Sequence, residues 1–410
     1  MAERFISARD AALIGASAHR ILLGGCTADP AVVIDAVRAE PALWSARILT
    51  GLFIPGVNDR DYAAVGEGTI VETIFSTAGL RHGSRVAHLP MHYTGFGGRL
   101  SRPGVVDLVY LTVPPPRSDG TIGFGLTCDV VPGAVAAGAR VIGIVNPRMP
   151  DVQQGPRLSV ERFSAFVEDD RPLPELDPGL PDAESLRIAD HVVGLLRPGD
   201  TLQLGLGKMQ AAILSRLGAA GMRDLGYHGG MLTPGILPLA EAGLFARGMT
   251  TGVALGTATF YQEVAARDDL RFAPFDQTHG LAALAAIPSL VAINSVIEVD
   301  LTGQANAEVL SGQQISGQGG LVDFVRGARA SPGGRSILAL PATANKGRTS
   351  RIVTALSPGA PVSVARGDVD LVVTEYGVAD LREASLTQRR NRLAAIAAPD
   401  FRDELAGGQR

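Results

Sequence analysis

The stretch from Asn294 to Arg335, NSVIEVDLTGQANAEVLSGQQISGQGGLVDFVRGARASPGGR, constrains the fold more than any other part of the chain. The apolar run Val291 to Val299 reads as a buried strand, and Thr302-Gly303 as a turn beyond it. The loop Ser316-Gly317-Gln318-Gly319-Gly320 then runs straight into Leu321-Val322-Asp323-Phe324. Glycine crowded between two apolar runs costs chain entropy on folding. Such a loop suits a place where backbone N–H groups must approach an anionic or acyl group of a ligand. A tight loop that holds no ligand is the plainer alternative.

A second segment has the same character. In Thr201 to Leu217, TLQLGLGKMQAAILSRL, the residues Leu202, Leu204 and Leu206 alternate as in a strand. Ala211, Ala212, Leu214, Ser215 and Leu217 then suit a helix. Gly205 and Gly207 mark the turn between them, and the free N–H groups of the new helix are offered to a phosphate or an acyl oxygen. The dinucleotide pattern G-x-G-x-x-G is not met, because Gln210 stands at the third glycine. No Gly-Lys-Ser/Thr follows, so a Walker loop is excluded as well.

Composition narrows the class. The 410 residues suffice for two domains with substantial cores, and the formal net charge of −4 gives no reason to expect nucleic-acid binding. Two cysteines, Cys26 and Cys128, are too few for a disulfide framework. Met1 to Asp10 is polar and charged, and no uninterrupted apolar run reaches the length of a membrane span. These features lead us to expect a cytoplasmic protein without a membrane partner.

The chain reads as two α/β halves. In the first, a helical stretch near Ala11 precedes strands at Arg20–Leu23, Arg47–Leu52, Arg85–His88, Val106–Val113 and Val141–Val145. Helices are expected at Ala31–Arg38 and Val131–Ala137. This alternation argues a mostly parallel sheet. Asp169 to Asp182, with four prolines and five acidic residues, reads as a linker, so we expect domains at 1–180 and 181–410. The second half opens with a helix at Ala183–Leu196 and carries both glycine loops.

Several segments resemble the acetyl-CoA hydrolase/transferase family, including 4-hydroxybutyrate CoA-transferase. In the second half these are LQLGLGKMQ, INSVIEVDLTGQANAE, SGQGGLVDFVRGA, SPGGRSILALPAT and DVDLVVTEYGVADLR. In the first half LLGGCTADP, VPPPRSDGTIGFG and VIGIVNPRMP are similar. The resemblance covers roughly residues 15 to 405. It implies two related α/β domains with the active cleft between them, and a homo-oligomer. The expected substrates are an acyl-CoA and a small carboxylate. Coenzyme A would then be a substrate, with no tightly bound cofactor and no metal. Carried over by motif, the expected CoA contacts are Gly205, Gly207, Lys208, Gln210, Asn294, Gly317, Gly319, Gly320 and Lys346. Gly24 and Gly25 fall on the acyl and oxyanion side.

The family's chemistry uses a glutamate that attacks the thioester and passes through a glutamyl–CoA intermediate. The matching segment here is Tyr227-His228-Gly229-Gly230-Met231, which puts Gly230 at the nucleophile position. CoA transfer or acyl-CoA hydrolysis is the first expectation. A divergent acyl-CoA lyase or decarboxylase, or a non-catalytic CoA-binding paralogue, is the alternative. His228, Glu298 and Lys208 are the catalytic candidates, with Glu375 a further general base and Cys26 a further nucleophile. Each has a plainer structural reading: a satisfied histidine at a strand end, scaffold carboxylates, a core thiol. His82, His88 and His92 lack the Cys or acidic partner that would complete a metal site. The chain has 35 arginines and only two lysines, Lys208 and Lys346, both inside motif segments. A compact ammonium suits a phosphate or carboxylate where a guanidinium would not fit.

Overall fold

The computed structural model describes residues 4–81, 83, 85–177 and 179–407, so His82 lies outside the described residues. The chain divides into two compact units, Met1–Asp177 with Thr250–Thr278, and Pro178–Met249 with His279–Arg410. Thr250–Thr278 clusters with the first unit, although a linear reading of the chain puts it in the second half.

The first unit is built on an all-parallel sheet of seven strands. Their order is Val86–His88, Ile70–Thr73, Ile48–Thr50, Arg20–Leu23, Leu108–Val113, Arg140–Val145, Phe163–Glu168. The interior strand Leu108–Val113 is buried at every residue, as expected when helices cover both faces of a parallel sheet. Helices Ala8–Gly15 and Ala31–Ala39 pack with Trp44, Phe53 and Tyr110 into one core.

Within the second unit the strands run Gly226–Leu232, Thr201–Leu204, Leu290–Ser295, Arg335–Ala339, Leu371–Thr374, Gly377–Asp380. All neighbours are parallel except the last two, which form a hairpin. The helix Ala183–Val193 starts where the Asp182 carboxylate accepts from Ser185 N–H at 2.8 Å. It buries Ser185, Ile188, Ala189 and Val192, a single stripe at helical spacing, and packs on helix Lys208–Ala219. Asp200 and Arg335 anchor the starts of their strands through a buried two-pronged ion pair at 2.6 and 3.1 Å.

One expectation is corrected here. The apolar run Val291 to Val299 is two strands, Leu290–Ser295 and Glu298–Asp300. The chain leaves the main sheet after Ser295. Glu298–Asp300 joins a separate three-stranded sheet, paired with Ala305–Asn306 and Ile352–Val353. Hydropathy alone does not see the change of partner, because both pieces are buried. The turn at Thr302-Gly303 is present, with Gly303 at φ +95° and Asp300 Oδ1 accepting from the N–H groups of Thr302 and Gln304.

Candidate active site

In an open parallel sheet, ligands bind beyond the carboxyl ends of the strands. In the second unit that edge carries Gly205, Gly207, Gln210 and Asn294, with His228 and Gly230 on the adjoining strand. Strand Thr201–Leu204 ends at Gly205 and passes through Gly207, at φ +103°, into helix Lys208–Ala219. The left-handed backbone at Gly207 places the helix start directly against the strand end, a conformation that few side chains tolerate. The neighbouring strand ends at Asn294 and Ser295. On the other side, strand Gly226–Leu232 carries His228 and Gly230 on one face, since alternate residues of a strand share a face.

Gln210 ties the first two strand ends together. Its Nε2 donates to Ser295 Oγ at 3.3 Å, while Oε1 is buried with no hydrogen-bond partner. A Cβ on Gly205 would lie 3.2 Å from the same Nε2. Asn294 is held by Gln203 in a reciprocal amide pair, with Asn294 Nδ2 donating at 2.9 Å and Gln203 Nε2 donating back at 3.3 Å. A buried acceptor left unmatched costs free energy, so a donor reaching the Oε1 of Gln210 would be stabilised there.

The second cluster centres on a residue that sequence reasoning missed. Helix Leu321–Ala330 begins at Gly320, and helix Leu281–Ala285 packs on it so closely that a Cβ on Gly327 would lie 2.5 Å from Leu284 Cβ. This clamp brings His279, just before helix Leu281–Ala285, over the start of the longer helix. A Cβ on Gly230 would lie 2.8 Å from both Cε1 and Nε2 of the His279 ring. One on Gly320 would lie 2.5 Å from its Cδ2 and 2.6 Å from its Nε2. Phe324 packs against the ring with centroids 4.6 Å apart. The imidazole is 4% exposed. Burial, and then the field of His228, push its pKa down to about 3, so the ring is neutral at physiological pH. No local signal marks His279, because its two glycine partners are distant in sequence.

The remaining candidates are placed as follows. Glu298 is buried and fully engaged. Its Oε1 accepts from Asn306 Nδ2 at 3.0 Å and Ser357 N–H at 3.1 Å, and its Oε2 from Ser357 Oγ at 2.7 Å. That is the bonding of a scaffold carboxylate. Glu375 accepts from Ala342 N–H at 2.8 Å. Burial, and then the hydrogen bond shared with Glu375, push the neighbouring Glu184 carboxyl up to about 7. Lys208 is exposed at the first residue of its helix, and Lys346 is exposed in the turn between Thr343–Ala344 and Thr349–Ser350, at φ +59°. Gly317 is buried in the loop before helix Leu321–Ala330, and Gly319 has φ +50°.

In the first unit, Gly24 and Gly25 are pressed against backbone. A Cβ would lie 2.4 Å from Ala28 O and 2.3 Å from Leu52 O respectively, so packing alone demands glycine at both. Cys26 follows at φ +51°, and burial, reinforced by Asp129, raises its thiol pKa well above the ordinary range. A thiol held protonated is a poor nucleophile, which favours the core reading of this residue. Among the described residues no group of three or more His, Cys, Asp or Glu is placed to hold a metal ion. No described helix is long and apolar enough to cross a membrane.

The profile of the acetyl-CoA hydrolase/transferase C-terminal domain matches residues 256–408. The 4-hydroxybutyrate coenzyme A transferase of Clostridium kluyveri is 36% identical over 309 residues, spanning 73% of this chain and 71% of that protein. Among solved structures, RipA from Yersinia pestis superposes with a TM-score of 0.92 at 28% identity, covering 99% of this chain and 97% of that one. The 4-hydroxybutyrate CoA-transferase from Porphyromonas gingivalis gives 0.82 at 30% identity, with 99% and 97% covered.

Proposed function

The chain belongs to the acetyl-CoA hydrolase/transferase family, and we propose that it processes acyl-CoA thioesters, by CoA transfer to a carboxylate or by hydrolysis. The observation that carries this reading is the convergence at one sheet edge. Gly205, Gly207, Gln210 and Asn294 lie at the ends of two adjacent parallel strands, with a buried and unmatched acceptor among them. His228 and Gly230 lie on the next strand over. The lyase, decarboxylase and non-catalytic readings draw no support from the family or from the relatives named above.

In this proposal the CoA moiety is held by Gly205, Gly207, Lys208, Gln210, Asn294, Gly317, Gly319, Gly320 and Lys346, and the acyl side by Gly24 and Gly25. Gly230 stands at the nucleophile position. We place the protein in the cytoplasm as a homo-oligomer. The test is a panel of acyl-CoAs, with and without acetate, followed for free thiol and acyl exchange, alongside thermal-shift titration with CoA. Turnover of at least one acyl-CoA with saturable CoA stabilisation is expected; neither effect across the panel would sink the reading.

A further inference from the structure

A cavity of about 350 Å³ opens at the amino ends of the strands of the first unit, the edge opposite to the one that bears Gly24 and Gly25. Three connections wall it. Ser17 and His19 come from the turn between helix Ala8–Gly15 and strand Arg20–Leu23, Gly104 and Asp107 from the loop that enters strand Leu108–Val113, and Gly138 and Arg140 from the end of helix Val131–Ala136 and the start of the next strand. Gly104 and Gly138 have φ +75° and +102°, and a Cβ on either would meet nothing within 4 Å, so no side chain closes the mouth there. Asp107 and Arg140 stand at the starts of neighbouring strands with opposite charges, yet they form no ion pair with each other. Asp107 Oδ2 accepts from the N–H groups of His19 at 2.9 Å and Arg20 at 2.8 Å, while Oδ1 receives no hydrogen bond among the described residues. The exposed Arg140 guanidinium reaches to Ser17, whose Oγ accepts from Nη2 at 3.2 Å, and it meets no carboxylate among the described residues.

We propose that this cavity binds a small zwitterion of the α-amino-acid class, with the ligand carboxylate on Arg140 and its ammonium on Asp107 Oδ1. A guanidinium without a carboxylate partner offers N–H groups in a fork that matches one. A carboxylate with one oxygen already bonded keeps full acceptor capacity on the other, and an ammonium brings three donors to it. The helices Ala8–Gly15 and Val131–Ala136 both turn their carbonyl ends to this edge, which favours the positive group further. A simple anion would meet Asp107 and those carbonyl ends unopposed, and a simple cation would meet Arg140. Only a ligand with both signs a few atoms apart answers both charges. The volume lies near the lower limit of about 300–1,000 Å³ for small-molecule pockets, a size suited to a single amino acid. The site is separate from Gly24 and Gly25. Five residues of nearly extended chain part His19 from Gly24, roughly 16 Å at about 3.3 Å per residue. It goes beyond the acyl-CoA reading and does not depend on it.

The experiment is calorimetric titration and thermal shift of the full-length protein with the common L-amino acids, tested singly. At least one should bind saturably and raise Tm, as a ligand of the folded state must. Its methyl ester and its N-acetyl derivative, each lacking one charge, should bind about tenfold more weakly or worse. Arg140→Met, which keeps the aliphatic stem of an exposed side chain, should weaken the free amino acid by about 10–100-fold and leave the methyl ester nearly unaffected. Asp107→Asn, which keeps an oxygen for the N–H groups of His19 and Arg20, should weaken it as much and spare the N-acetyl derivative. Both variants should bind CoA as the parent does, so this result stands apart from that of the acyl-CoA panel. No saturable binding by any amino acid, equal binding by the blocked derivatives, or affinity unchanged in either variant would overturn the site. Should Asp107→Asn fail to fold, Arg140→Met and the methyl ester decide.

Discussion

Adding one carbon at position 230 should reveal how firmly His279 is held. Non-bonded carbons sit comfortably at about 3.5–4.0 Å, so a Cβ 2.8 Å from both Cε1 and Nε2 of His279 is too close by roughly 0.7 Å or more. The ring cannot slide away along its own edge, because Gly320 closes the other side of Nε2 and Phe324 packs against the ring. Overpacking of this kind costs about 1–3 kcal/mol. We predict that Gly230→Ala lowers stability by that amount in the parent and by under about 0.5 kcal/mol in a His279→Ala background, where the obstruction is gone. Urea unfolding of the four proteins, followed by circular dichroism with slopes compared, measures both penalties. Equal penalties in the two backgrounds, or none in the parent, would refute the claim that the ring fills this space. The same geometry predicts that Gly230→Glu alone creates no CoA-transfer activity, since its first side-chain carbon meets the same obstacle.

Four further outcomes are expected. Borohydride reduction of acyl-CoA-treated protein, read by mass spectrometry, should find no modified glutamate; a labelled Glu298 would contradict the role given to Gly230. Gly317→Val should weaken CoA binding in calorimetry while the fold persists, and unchanged affinity would assign that loop to structure alone. Lys346→Met should weaken CoA binding and Lys208→Met should mainly reduce turnover; parent-like behaviour of both would return the lysines to the ordinary surface. Burial pushes the Asp129 carboxyl up to about 6, partly offset by hydrogen bonds from the N–H groups of Val130 and Val131. The folded state thus binds the proton more tightly than the unfolded chain, so stability falls as pH rises from about 4 to about 6, by on the order of 3 kcal/mol. Asp129→Asn should flatten that part of the urea-midpoint profile, and an unaltered slope would rule this carboxyl out as its source.

Much of the frame was legible from local pattern. Arg20–Leu23 lies in the structure where its run of apolar residues puts it, and the alternation of Leu202 and Leu204 followed by Gly205 marks the strand end and turn. Helix Ala183–Val193 follows from an Asp cap and one buried stripe. What escaped depended on distant partners. The break after Ser295 is set by which sheet Glu298–Asp300 joins, and both pieces are buried although the second carries two carboxylates. The scaffold role of Glu298 rests on Ser357, far along the chain. Glu184 gains its shift from burial and then from Glu375, and His279 gains its place from Gly230 and Gly320. In each case the residue is ordinary until the fold supplies its neighbour.

The scarcity and exposure of the lysines have a practical consequence for reagent chemistry. With Lys208 and Lys346 the only lysines in the chain and both accessible, an amine-directed dye or cross-linker has two side-chain addresses besides the α-amine. Exchanging Lys346 for arginine leaves one. A fluorophore placed there reports from the first residue of the helix that follows Gly207, beside the strand end at Gly205. Ligand arrival at that loop then becomes a stopped-flow signal, obtained without introducing a cysteine or touching either native thiol.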